Sequence, residues 1–458
     1  DAGLIQKLTY PSAVTAENAF DNAGALASIT VKNTLGTLEA LTYTYINDMT
    51  ISSINSTRDG GLHTYAYDGL DQLTQVTHPA GFGLANEAYQ YDKVGNRDLP
   101  SDLTIYQYDN NHRITQSPGL LQYTYDTAGN QTGRSDGVVM TYDTDNRLIS
   151  YTKGTTSATY VYDPFGHRIK KTVNGVVTFY VWDGSKLSAE YSATGVRQKR
   201  YAYLPDTLSP IQVEDTNGIY NVSADNLGTT RFLTNSAQKI VWSAKQSAFG
   251  EMLVNEDPDA NGVTVTYNPR FAGQYFDKES GLHQNYFRDY DPSIGRYIQS
   301  DPIGLDGGIN TYVYVSANPM MAIDQFGLSQ MCHRNLLMPI PYARHCYMKY
   351  DDGSTSSYDP SGVKPDPDQQ QEGTVCTAPQ KPEQDNCIKK AMEQCKGANY
   401  NFTQFNCCHC AEQAMKQCGV SIPTPSWPNW PMNPGPQPGE PGYSPTPVYD
   451  SNLGGKSK

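Results

Sequence analysis

The sequence predicts a mainly β protein, a repetitive β shell followed by a small α+β domain. Three observations predict it. One is a comb of tyrosine–aspartate segments. Another is a bias of 34 tyrosines over 12 phenylalanines in 458 residues. The third is cysteine usage, with none in residues 1–328 and all nine in 329–458.

The comb comes first in the chain. "YTYDTAGNQTG", residues 123–133, reads as strand then turn. Tyr123 and Tyr125 share one strand face, because successive side chains alternate. Asp126, Gly129 and Asn130 bring turn chemistry. The same pattern recurs as "YAYDGLDQL", "YQYDKVGNR", "YQYDNNHRI", "TYDTDNRLI" and "YVYDPFGHRI", and "YVWDGSKL" extends it. Its aspartates are Asp68, Asp92, Asp109, Asp126, Asp143, Asp163 and Asp183, spaced by 24, 17, 17, 17, 20 and 20 residues. Self-similarity at such a period marks a repeat architecture, in which each unit buries its face against its neighbours. The tyrosines suit strands whose rings pack while the hydroxyls find partners or water.

Charge and hydropathy narrow the class. Formal net charge is −13. Residues 1–328 hold 23 Lys+Arg against 35 Asp+Glu, and residues 329–458 hold 11 against 12. An acidic shell is not a nucleic-acid surface, which needs basic residues. No run of 18 apolar residues occurs, so no transmembrane helix is expected. The chain opens "DAGLIQKLTYPSAV", without Met or leader, and is expected to be a piece of a longer protein.

The comb resembles the repeats of RHS proteins, the YD-repeat polymorphic toxins. That resemblance implies a β-cocoon formed by 1–269 around a C-terminal toxin. From Arg270 the sequence "RFAGQYFDKESGLHQNYFRDYDPSIGRYIQSDPIGLDGGINTYVYVSANPMMAIDQFGL" resembles the RHS-associated core domain, which assigns 270–328. In that family two D-P-x-G elements flank the last stretch, and the chain is cut behind the second by an aspartyl-type self-cleavage. The first element here is Asp301-Pro302-Ile303-Gly304, and the second is Asp324-Gln325-Phe326-Gly327. The implied cut lies between Leu328 and Ser329, where cysteine usage also changes. Two close carboxylates are expected to share a proton, one form activating water and the other protonating the leaving amide. Gln325 stands where the family has proline, which loses rigidity at the turn. Asp163-Pro164-Phe165-Gly166 carries the same letters inside a plain repeat, so the pair and its setting carry the reading.

The cargo is expected in 329–422, followed by a proline-rich tail, 423–458. Asn406 is a good N-cap, 407–418 has helical composition, and Gly419 sits where a C′ glycine belongs. Cys407 would then lie in the first turn, where the helix N-terminus favours a thiolate. His345, in a strand–turn–strand segment, is the candidate base. Tyr400-Asn401 and Asn406-Cys407-Cys408-His409 resemble the circularly permuted papain-like enzymes, the NlpC/P60 and lecithin:retinol acyltransferase-like groups. The resemblance implies a Cys-His hydrolase or acyl/peptidyl transferase with Cys407 as nucleophile. No third member is assigned; the strand around Ser357 could supply one. A disulfide scaffold is the bland alternative, and Cys395 could pair with Cys418 while Cys407 stays free. Zinc is another, since Cys407 and Cys410 could be joined to Cys387 and Cys395, although zinc ligands usually come as separated pairs. A rival function is a non-enzymatic, disulfide-stapled toxin that binds or permeabilises a membrane. No cofactor or metal is expected. The toxin resemblance implies a cognate immunity protein, secretion-system components, and secretion or delivery into a target cell in interbacterial competition.

Overall fold

A computed structural model describes residues 5–328, apart from 23, 47–49, 99–105, 205, 206, 208 and 272, and then four short strands between 333 and 364. The strands follow one another as a meander. Eight of them, from Lys7–Thr9 to Glu87–Ala88, form one sheet in chain order. Gln90–Tyr91 and Arg97–Asp98 make a two-stranded link. Sixteen more, from Gln107–Tyr108 to Met252–Asn255, form a second sheet without a crossover. A four-stranded sheet spans Tyr275–Asp277 to Arg296–Tyr297. The only helical elements among the described residues are two 3-10 turns, Gly304–Gly307 and Val315–Ala317.

The comb builds each hairpin in a fixed way. The aspartate closes the turn with one oxygen. Asp143 Oδ1 accepts the backbone N–H groups of Asp145 and Arg147, both at 3.0 Å. Asp68, Asp92, Asp109 and Asp163 do the same with their own second and fourth following residues. The tyrosine before the aspartate ties the hairpin to the preceding one. Tyr67 donates to the Ile51 carbonyl at 2.8 Å, Tyr91 to Leu73 at 2.7 Å, Tyr142 to Gln131 at 2.7 Å and Tyr162 to Leu148 at 3.0 Å. A phenylalanine cannot donate that bond, so these positions call for tyrosine. The register also shifts at this tyrosine, between Thr141/Tyr142 and Val161/Tyr162 for example, and such bulges raise the local twist.

Two members of the comb differ from expectation. Asp183 closes no such turn. It ends the strand Val176–Asp183 and pairs with Lys186 across a two-residue hairpin. Trp182 still supplies the link, its indole N–H reaching the Arg168 carbonyl at 3.0 Å. Asp225 is a missed member, its carboxylate accepting from Leu227 and Thr229. It lacks the tyrosines that mark the others.

The far end of the second sheet returns onto the first. Arg231 Nη2 reaches Glu39 at 2.7 Å and Asp59 at 2.6 Å, and all three side chains are buried. Phe232 joins Val14, Ile29, Val31 and Leu41 in one apolar cluster. The stretch from Pro269 to Leu328 lies against the repeats. Tyr312 donates to the Gly129 carbonyl at 2.8 Å, Asn310 to Asn96 at 2.7 Å and Arg296 to the His112 carbonyl at 2.6 Å.

Beyond 328, the strand Arg344–Lys349 pairs antiparallel with Thr355–Asp359, as expected of a strand–turn–strand segment. It also pairs with His333–Asn335, setting Arg334 opposite His345. Cys407 and the expected helix 407–418 lie outside the described residues, as do the other cysteines except Cys346, which sits in the strand Arg344–Lys349.

Candidate active site

Asp301 and Asp324 are 23 positions apart in sequence, and the fold brings them to one guanidinium. Arg288 Nη2 lies 2.9 Å from Asp301 Oδ2 and 3.1 Å from Asp324 Oδ2. All three residues are buried, at 3 %, 6 % and 8 % exposure for Arg288, Asp301 and Asp324. The arginine is itself tightly fixed. Its Nη1 donates to the Thr311 carbonyl at 3.0 Å and its Nε to the Gly327 carbonyl at 2.5 Å. Its Cζ lies 3.6 Å from the centre of the Tyr297 ring.

Each aspartate sits in a turn of the type the comb uses. Asp301 Oδ1 accepts from Ile303 N at 3.1 Å. Asp324 Oδ1 accepts from Leu328 N at 3.0 Å, the same fourth-residue bond as in Asp163-Pro164-Phe165-Gly166-His167. What differs is the second oxygen. In the plain repeat Asp163 Oδ2 takes the His167 ring at 2.8 Å. Asp324 Oδ2 instead takes Arg288 and the Tyr297 hydroxyl, the latter at 2.7 Å. The same turn thereby becomes a buried, charged site.

Gly327 is required for a steric reason. Its φ is +68°, and a Cβ there would lie 2.7 Å from the Asn285 carbonyl oxygen. The backbone of Phe287 also donates to the Phe326 carbonyl at 3.2 Å. The residues just before the expected cut are therefore held on three sides.

Between the two carboxylates stands a cation, the Arg288 guanidinium, and its charge offsets their mutual repulsion. Sequence reasoning missed Arg288, Tyr297 and Asn285. Nothing in the spacing separates Arg288 from Arg296 eight residues on, which turns instead to the His112 carbonyl and Asn310. Among the described residues no group of three or more His, Cys, Asp or Glu could hold a metal ion, and no helix is long and apolar enough to cross a membrane.

A family model described as Teneurin YD-shell matches residues 4–321. The chain belongs to the Teneurin YD-shell family. Curated relatives of this YD-shell chain include proteins named as toxins and as nucleases. Double-stranded DNA deaminase toxin A of Burkholderia cenocepacia is 35 % identical over 208 residues, covering 39 % of this chain and 14 % of that protein. Toxin protein Tse5 of Pseudomonas aeruginosa is 31 % identical over 216 residues, covering 39 % and 16 %. The tRNA nuclease WapA of Bacillus subtilis is 29 % identical over 305 residues, covering 65 % and 11 %. The matches thus span less than a fifth of these relatives' length. Among solved structures, TcdB2-TccC3 without its hypervariable C-terminal region superposes with a TM-score of 0.58 at 20 % identity, covering 71 % of this YD-shell chain and 19 % of that one. The Photorhabdus luminescens Tc holotoxin pore gives 0.55 at 18 % identity, covering 71 % and 18 %. These likenesses show the fold.

Proposed function

We propose that this chain is the C-terminal part of an RHS toxin that encloses an effector, 329–422, and frees it by cutting itself between Leu328 and Ser329. One observation carries the reading: Asp301 and Asp324 meet on buried Arg288, and Asp324 holds the N–H of Leu328. In the reaction a water adds to the Leu328 carbonyl carbon, forming a C–O bond. A carboxylate takes the water's proton and returns it to the Ser329 nitrogen as the C–N bond breaks. Asp324, engaged by Leu328, Arg288 and Tyr297, aligns the substrate segment. Asp301 is then the base, and Arg288 supports the charge that develops.

The test is direct. Purified chain run under denaturing conditions should give two bands, the smaller beginning at Ser329, and Asp301→Asn or Asp324→Asn should give one. A single wild-type band would sink the reading, and Gln325 in place of proline would be the first residue to restore.

The effector reading rests on sequence. A strand histidine, His345, followed by a cysteine at a helix start, Cys407, supports a Cys-His hydrolase or transferase. The names of the relatives attach nucleases and a deaminase to this family, so effector chemistry varies among its members. Toxicity of the freed fragment should vanish in Cys407→Ser and His345→Ala but survive Cys408→Ser. Full toxicity in all three would favour the disulfide-stapled toxin. A cognate immunity protein and a delivery apparatus are the expected partners.

A further inference from the structure

The amide of Asn285 stands behind the candidate site. Asn285 ends the strand Leu282–Asn285 and pairs in register with Arg288 across the hairpin. It is fully buried, at 0 % exposure. Its Nδ2 donates twice, to the Asp324 carbonyl at 2.8 Å and to the Tyr297 hydroxyl at 2.7 Å. Tyr297 passes the bond on to Asp324 Oδ2 at 2.7 Å. The direction of this chain is forced. A carbonyl oxygen can only accept, so the nitrogen of the amide must face Asp324. The Tyr297 hydroxyl has one hydrogen, which it gives to the carboxylate, so it must accept from Asn285.

We infer that Asn285, partly through Tyr297, is a positioning residue for self-cleavage, fixing Asp324 at its main-chain carbonyl and at its carboxylate together. This rests on the cleavage reading above. With the carbonyl anchored and Oδ2 oriented, Oδ1 is left to hold the Leu328 N–H. The backbone of Asn285 completes the seat, since its carbonyl leaves Gly327 no room for a side chain. The charged and titratable groups at this corner are Arg288 on the neighbouring strand, Asp301 and Asp324 in their turns, Tyr297, and Tyr290 and Tyr314 with their rings 5.7 Å and 5.9 Å from that of Tyr297.

The experiment uses the whole chain, made by pulse-labelled cell-free synthesis and shifted to buffers of set pH, with cleavage followed in time. Asn285→Asp keeps the shape and exchanges the donor for an acceptor. At neutral pH it should cleave on the order of ten- to a hundredfold more slowly, the effect of losing a hydrogen bond that involves a charged group. As the pH falls and the new carboxyl gains a proton, it becomes a donor again, and the rate should rise toward wild type. A merely structural residue gives no such recovery. Tyr297→Phe keeps the ring against Arg288 and should slow cleavage at every pH. Asn285→Asp cleavage that tracks wild type, or that stays slow at acid pH, overturns the inference. Should that variant not fold, an unchanged rate in Tyr297→Phe overturns it. A wild-type chain that never cleaves sinks the underlying reading instead.

Discussion

Arg168 and Asp277 form a two-pronged ion pair across 109 residues of sequence, each side chain only 2 % exposed. Nη2 meets Oδ1 at 2.9 Å, and Nη1 meets Oδ2. Lys171 adds a second cation at 2.8 Å. Burial pushes the Asp277 carboxyl up, but Arg168 and then Lys171 outweigh it and hold it below the usual carboxylate range. Its folded pKa is thus depressed. The stability it contributes is present above the unfolded value and is lost as the pH falls through the lower, folded one. Arg168→Leu leaves the carboxylate short of a partner and should cost about 3–5 kcal/mol. Replacing both residues with apolar ones should recover much of that in chemical denaturation.

Asp289 should behave in the opposite sense. Burial raises its carboxyl to about 7, against the hydrogen bond from Gln299. A folded pKa above the unfolded one gives stability that is full at low pH and is lost as the pH rises toward 7. Asp289→Asn keeps the acceptor for Gln299 without the titration. The variant should be more stable than wild type by ~2–4 kcal/mol at pH 7.5, with no difference below about pH 4. Melting curves across that range test it, and a gap that persists at low pH would point to packing instead. His283, lowered to about 3 by burial and then by Arg270, adds a loss of stability as the pH falls below the ordinary histidine range.

Glycines of the comb divide by what stands over them. A Cβ on Gly129 would lie 2.6 Å from the Tyr312 hydroxyl, and its φ is +88°. Gly154 has φ +58° and open space. Gly154→Ala should cost about 1 kcal/mol from the backbone alone. Gly129→Ala should cost more, roughly 2 kcal/mol or above, because the contact with Tyr312 breaks as well. Equal denaturation midpoints would argue against that docking.

The tyrosine links can be weighed singly. Tyr142→Phe leaves the Gln131 carbonyl without its donor and should cost about 1 kcal/mol. Amide exchange should quicken in the strands Gln131–Arg134 and Val139–Tyr142 more than elsewhere.

Much of the fold was legible because its instructions are local. The Tyr-x-Tyr-Asp segment states a strand face, a link and a turn within a few residues, and repetition states them again. Asp183 misled because the letters matched while its turn was two residues long, and Asp225 escaped because its tyrosines are missing. The candidate site was half legible. Asp301 and Asp324 carry turn letters that announce themselves. Arg288, Tyr297 and Asn285 act by proximity across a hairpin, and no period in the sequence records that. The candidate pair Cys407 and His345 stands on motif alone.

The Arg231 clasp changes how the repeats can come apart. A meander with free ends would fray hairpin by hairpin, each opening costing only its nearest-neighbour contacts. Once Arg231 is held by Glu39 and Asp59, the late strands guard the early ones, and neither end can peel without exposing buried charge. Opening then has to break the seam itself, so the slowest amide exchange should lie on both sides of it, in strands nearly two hundred residues apart.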